Sequence, residues 1–201
     1  MITGWNELTV GKFIEIYDLT DDADRGLRIA ACLAGMTYDE ILNAPLAKTK
    51  ALLQNAEFLS KQPKLKRAKG EYVLNGRKYC FSRDLNSITT AQYIDYSEMP
   101  KDLYHLPEIG AIFLVPSGHT YNDGYDMETV TKDIREHMSY EDFNSIMGFF
   151  LGSFLISMRR FEKETLKTLK KAVKAGTATR EQLKETKRNL QVIQAATIGS
   201  F

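Results

Sequence analysis

The chain has 201 residues, of which 43% are hydrophobic and 10% aromatic. This composition supports a real hydrophobic core and excludes a mainly disordered chain, and the length allows one domain or two small ones. The net charge of +1 conceals strong zoning of charge along the sequence.

Four charge zones follow one another. Residues 1–44 hold 3 basic and 8 acidic side chains, a net charge of −5, and residues 45–88 hold 10 and 3, a net charge of +7. Residues 89–146 hold 3 and 11, a net charge of −8, and residues 147–201 hold 11 and 4, a net charge of +7. Such zoning suits subunits that meet through complementary patches, because opposite fields steer association. The alternative is that charged helices simply alternate along the chain.

The first two helices are predicted from their caps. Thr9 is a good N-cap for a helix over Val10–Leu19, whose apolar side includes Phe13. A second helix is predicted to start near Asp21 or Asp22. Alanine and leucine residues then recur at helical spacing until Gly35, which is placed to end that helix.

Two further helices precede a hairpin. The sequence "TYDE" at Thr37–Glu40 is typical of a capping box, and Pro45 suits the first turn of a helix that runs to about Lys61. The basic linker Lys61–Gly70 interrupts the helical pattern. Two β-prone runs then flank Asn75-Gly76, a pair that tolerates the positive φ angles of a type I′ turn. We predict a β-hairpin over Glu71–Phe81.

The next part of the chain is again helical. Thr89 or Thr90 is predicted to cap a helix through about Glu98, and Leu106–Val115 is predicted as a buried helix with Pro107 in its first turn. "HTYNDGYD" is predicted as a loop. "METVTKDIREHM" is predicted as an amphipathic helix with Val130 and Ile134 facing inward.

A helical hairpin is predicted at the C-terminus. Ser139 caps a long helix from Tyr140 to about Ala175, and Thr179 with Gln182 forms a capping box for a return helix that ends near Ala196. The predicted fold is therefore mainly α, with one hairpin at about 71–81. We expect a helical body over residues 1–160 and a basic helical-hairpin arm over residues 161–201.

A short unit occurs twice. "LTVGKFIEI" and "ITTAQYIDY", aligned on Thr9 and Thr89, share a capping threonine followed by an aromatic residue, isoleucine and an acid. A diverged duplication would place Phe13 and Tyr93 in matching positions. The alternative is that the shared sequence is simply a common way to begin a helix.

The most apolar stretch is Phe143–Met158. It is shorter than the roughly 20 residues needed to span a bilayer, and four polar residues dilute it. We therefore expect a central core helix or an interface helix, and no membrane span.

Basic side chains are the candidate interaction residues. Lysines of the arm and the two arginines just before it form a predicted protein interface: Arg159, Arg160, Lys163, Lys167, Lys170, Lys171 and Lys174. The alternative use of this arm, together with the linker 61–70, is contact with nucleic acid phosphates.

No catalytic, cofactor or metal site is predicted. His105, His119 and His137 share no metal-ligand spacing, and the sequence contains neither a phosphate-binding glycine loop nor a nucleophile elbow. Cys32 and Cys80 fit no CxxC spacing, which favours a reducing compartment. The residues after Met1 lack the pattern of a signal peptide.

Four segments together resemble a family of proteins from tailed bacteriophages of gut Bacteroidetes: "WNELTVGKFIEI", "LNGRKYCFSRDLNSITTAQYID", "AIFLVPSGHTYNDGYD" and "MSYEDFNSIMGFF". The resemblance covers about residues 5–150. It implies a virion structural or tail-assembly protein, similar to those called tail assembly chaperones, without catalytic residues. Its expected partners are other phage structural or assembly proteins, or further copies of itself. Its expected location is the host cytoplasm during assembly, with retention in the virion as the second alternative.

Overall fold

The computed structural model describes residues 1–175, 179 and 181–188, with the side chains of residues 151 and 153–162 excepted. Two compact units are present, Met1–Phe149 and Phe150–Phe201. The sequence predicts a boundary near residue 160, within the same long helix. The fold is mainly α-helical with a small antiparallel sheet, which confirms the predicted fold class.

The first unit begins with four helices. Their bounds are Val10–Tyr17 (α1), Arg25–Ala34 (α2), Tyr38–Leu42 (α3) and Leu46–Asn55 (α4), and a 3-10 turn at Ala56–Ser60 follows. Ala30, Ile41 and Leu52 are buried between α2, α3 and α4. Leu8, Ile16 and Leu33 are buried in a second cluster beside them.

The predicted caps of these helices are confirmed. The Thr9 side chain accepts a hydrogen bond from the backbone N–H of Lys12. Thr37 and Glu40 form both halves of a capping box. Gly35 ends α2 with a φ of 67°, a left-handed conformation that glycine adopts without steric cost. The predicted start of α2 at Asp21 or Asp22 is wrong, because the intervening residues form turns and the helix begins at Arg25.

The predicted hairpin is confirmed. Strands Glu71–Leu74 (β1) and Arg77–Phe81 (β2) pair antiparallel, with Leu74 opposite Arg77. Asn75 and Gly76 have φ angles of 49° and 73°, as a type I′ turn requires.

A third strand, Leu114–Pro116 (β3), pairs with β2 and corrects the predicted helix over Leu106–Val115. That helix ends at Phe113. Val115 is β-branched and lies opposite Cys80, and Pro116 is tolerated because β3 is an edge strand. The backbone N–H and C=O groups on the open side of β2 pair with β3, and no local sequence pattern of Leu114–Pro116 reveals this pairing.

The remaining helices are Thr90–Glu98 (α5), Leu106–Phe113 (α6), Met127–His137 (α7) and Tyr140–Lys174 (α8), with 3-10 turns at Leu85–Ser87 and Leu103–His105. Thr89 and Gln92 form a capping box at α5. Ser139 accepts a hydrogen bond from the Asp142 N–H at the start of α8. Val130 and Ile134 of α7 are buried, as predicted.

The two threonine-capped units share their cap but not their surroundings. Phe13 stacks on Tyr140 with ring centroids 3.7 Å apart, whereas Tyr93 is 66% exposed. The two aromatic residues therefore differ in their packing, which a duplication with equivalent surroundings does not predict. This difference favours the alternative, a common way to begin a helix, because the cap depends on local residues and the packing does not.

In the second unit, α8 continues to Lys174, and residues 181–188 are helical. The predicted capping box is confirmed, since Thr179 N–H donates to Gln182 Oε1 and Gln182 N–H donates to Thr179 Oγ1. The end predicted for the return helix, near Ala196, lies outside the described residues.

Candidate interaction surfaces

The C-terminal part of α8 presents a lysine stripe, defined here as Lys163, Lys167, Lys170, Lys171 and Lys174. All are exposed, and at 3.6 residues per turn they fall within an arc of about 100°. None forms an ion pair with a carboxylate among the described residues. The side chains of the other two predicted interface residues, Arg159 and Arg160, lie outside the described residues.

An apolar seam adjoins the stripe. Leu166, Leu169 and Val173 are half-buried, and Leu183 on the following helical segment is also half-buried. The side chain of Phe161, predicted to extend the seam, lies outside the described residues. The described part of the arm thus carries half-buried apolar residues beside exposed lysines.

The basic linker is attached to the start of α8. Lys66 Nζ lies 2.5 Å from Glu141 Oε2, and its backbone N–H donates to Ser145 Oγ at 3.1 Å. Lys69 Nζ lies 2.8 Å from Asp142 Oδ2. The hydrogen bond to Glu141 raises the pKa of Lys66. Two of the five linker cations therefore form ion pairs within the chain. These two are not free to bind the phosphates of a nucleic acid.

A buried carboxylate joins the hairpin to α7. Asp133 is 2% exposed and accepts hydrogen bonds from Tyr79 Oη at 2.6 Å, Arg77 at 3.0 Å and Asn75 Nδ2 at 3.2 Å. Burial acts to raise the pKa of Asp133, but these hydrogen bonds outweigh it and the pKa lies below its usual value. Burial, with the bond to Asp133, raises the pKa of Tyr79 to about 12. This site is a structural connection with its donors and acceptor matched.

Sequence reasoning missed Asp133, although a signal was present. Val130, Asp133 and Ile134 occur at helical spacing on one side of α7. A carboxylate inside an apolar stripe indicates a buried partner, because an unpaired buried charge is costly.

A cavity of about 490 Å³ lies between the end of α5, α6, the loop before α7 and the start of α7. Among the described residues, its lining includes the carboxylates of Asp95, Glu98, Glu108 and Glu128 and contains no lysine, arginine or histidine. We call it the acidic cavity. It lies inside the acidic zone of residues 89–146, but its formation depends on tertiary packing that the sequence does not show.

The histidines and cysteines form no common cluster of metal ligands among the described residues. His105 pairs with Asp102, and His119 contacts the Asp123 carbonyl inside its own loop. Cys32 and Cys80 are free thiols. Within the described residues, no group of three His, Cys, Asp or Glu side chains is arranged to hold a metal ion.

In the described part of the chain, no helix has the length and apolar content that crossing a bilayer requires.

Comparison with known proteins gives no match to a family model, a curated protein or a solved structure.

Proposed function

We propose that this protein is a non-enzymatic structural or tail-assembly protein of a tailed bacteriophage, acting through protein–protein contacts in the host cytoplasm. The observation that carries the docking role is the lysine stripe, which is exposed and without carboxylate partners among the described residues; the phage assignment rests on the resemblance of the four sequence segments. Cations held in one row on a helix favour docking on an acidic surface, because complementary fields orient association.

Two further observations support this proposal. The acidic zone 89–146 carries a net charge of −8, opposite in sign to the +7 of residues 147–201. The four sequence segments that resemble phage proteins lie mostly in the first unit and give the expected partners, which are other assembly proteins or further copies of this chain.

The experiment removes the arm. A chain that ends at Arg160 keeps the whole first unit, Met1–Phe149. We expect it to melt cooperatively, with the fluorescence of its sole tryptophan, Trp5, as the reporter of folding. When partners or further copies are present, light scattering should show that the shortened chain forms smaller assemblies, with fewer chains in each, than the full chain does. A shortened chain that associates normally, or one that does not fold, would contradict the docking role.

The second candidate is a nucleic-acid-binding accessory protein that uses the linker 61–70 and the arm. The exposed stripe favours it, while the ion pairs of Lys66 and Lys69 weigh against a linker contribution. Binding of a fluorescent DNA duplex to the full chain separates the two proposals. A nucleic-acid function predicts tight binding that weakens by about one order in affinity per order in salt for each phosphate contacted. Our proposal predicts no saturable binding at physiological salt.

A further inference from the structure

Among the described residues, no lysine, arginine or histidine lines the acidic cavity, although the Lys101 ammonium donates to the backbone carbonyl of Met99, a lining residue. Asp95 receives one donor, the Tyr121 hydroxyl at 2.6 Å. Burial, together with this bond, raises the pKa of Tyr121, so its hydroxyl stays protonated. None of the four lining carboxylates forms an ion pair within the described residues.

One carboxylate oxygen is left without a partner. Glu108 Oε2 is buried and has no hydrogen-bond donor among the described residues. A buried carboxylate without a donor costs free energy, and a cation entering the cavity would offset that cost. Glu108 is one of the lining residues, so this unsatisfied oxygen adds to the negative charge that a cation bound in the cavity would offset.

The geometry indicates an elongated cation rather than a metal ion. A divalent metal needs several oxygens within about 2.0–2.6 Å of one point, and the described carboxylates are not gathered in that way. The cavity has the volume of an organic ligand site, which typically spans about 300–1,000 Å³. Met99, Pro100, Ile112 and Met127 also line it, and they provide apolar surface for an aliphatic stem.

We propose that the acidic cavity receives lysine side chains of the lysine stripe of a second copy of this chain. This inference rests on the proposed function and names the partner of the stripe. A lysine has a four-carbon stem for the apolar lining and an ammonium group for the carboxylates. Lys167 and Lys171 lie one turn apart, about 6 Å along the helix, so both can enter one cavity.

The contact joins two different surfaces, so it is heterologous. Each copy then offers one cavity and one stripe, and association continues into rings or open chains instead of stopping at a symmetric dimer. Charge complementarity within one sequence is the reason for choosing a second copy as the occupant.

The test uses two full-length variants. Glu98→Lys with Glu128→Lys changes exposed carboxylates at the cavity, and Lys167→Gln with Lys171→Gln neutralises the stripe. Each variant alone should weaken self-association by about tenfold or more in sedimentation velocity. An equal mixture should form a species of two chains and stop there, because only one intact cavity and one intact stripe remain to meet.

Matched controls carry the same charge changes elsewhere. Glu57→Lys with Glu136→Lys and Lys48→Gln with Lys50→Gln alter exposed residues outside the cavity and the stripe, and both should assemble like the unchanged chain. Trp5 fluorescence and thermal melting check the folding of every variant.

Three results would overturn the inference: an unchanged chain that is monomeric at all concentrations, control variants that lose as much association as the cavity variant, or a mixture without the two-chain species. If removal of the arm abolishes association while the cavity variant assembles normally, the stripe docks elsewhere and only the cavity inference fails. If the chain ending at Arg160 associates normally, the proposed function itself fails.

Discussion

The hydroxyl of Tyr79 on β2 donates a 2.6 Å hydrogen bond to the buried carboxylate of Asp133 on α7. This bond connects the three-stranded sheet to the helical core, and Arg77 and Asn75 of the same hairpin complete the set of donors. A hairpin is marginal alone, so its attachment to α7 is a condition for its stability.

Replacing Tyr79 by phenylalanine tests this connection. The ring remains, but the carboxylate loses its shortest donor, so we expect the free energy of unfolding to fall by about 1–3 kcal/mol. Urea denaturation followed by Trp5 fluorescence gives the value. Tyr93→Phe, at an exposed tyrosine, is the control and should change little. Equal effects from both changes would contradict the role of Tyr79.

The lowered pKa of Asp133 predicts a pH dependence. A carboxylate with a folded-state pKa below its unfolded value, about 3.9, stabilises the fold above that value and loses the contribution as pH falls through the folded pKa. The stability difference between the unchanged chain and Asp133→Asn should therefore be largest at neutral pH and shrink below about pH 4. A difference that is constant from neutral to acid pH would show that ionisation of Asp133 contributes nothing.

Gly110 on α6 is required by close packing. A Cβ atom there would lie 2.9 Å from Phe143 Cε2 and 3.3 Å from Ile134 Cδ1, and both of these side chains are buried. Gly110→Ala should lower the free energy of unfolding by about 1–3 kcal/mol, because overpacking outweighs the better helix propensity of alanine.

Gly152, within α8, is the matched control for Gly110. A Cβ atom there meets nothing within 4 Å among the described residues, so Gly152→Ala should stabilise helix α8 by up to about 1 kcal/mol. The two changes should thus have opposite signs in thermal melts. Stabilisation by Gly110→Ala would contradict the packing of α6 against α7 and α8.

Local sequence signals predicted much of the fold. Thr37 with Glu40 and Asn75 with Gly76 each specify a cap or a turn through residues three or fewer positions apart. Such features depend on backbone donors and φ angles nearby, so they can be read without knowledge of the tertiary structure.

Tertiary packing decided the rest. Leu114–Pro116 became a strand because β2 lay beside it, and Tyr93 is exposed although its counterpart Phe13 is packed. The acidic cavity needs α5, α6 and α7 together, and the linker lysines acquire their partners only when α8 lies beside them. The lysine stripe was predicted because it depends only on helical periodicity.

The most direct test of the central claim, association through the lysine stripe, neutralises that stripe without removing the helix. Glutamine has nearly the helix propensity of lysine, so replacing all five stripe lysines by glutamine should leave the melting curve nearly unchanged. The control replaces five exposed cations elsewhere: Lys48, Lys50, Lys61, Lys64 and Lys132.

Sedimentation velocity over a range of protein and salt concentrations gives the mass of the species that the unchanged chain and each variant form. We predict that the unchanged chain and the control exceed the single-chain mass of 22.9 kDa as concentration rises. High salt should dissociate these assemblies, because it shortens the screening length from about 10 Å at 0.1 M to about 3 Å at 1 M. The stripe variant should remain at the single-chain mass throughout. A stripe variant that assembles as the unchanged chain does would contradict the claim.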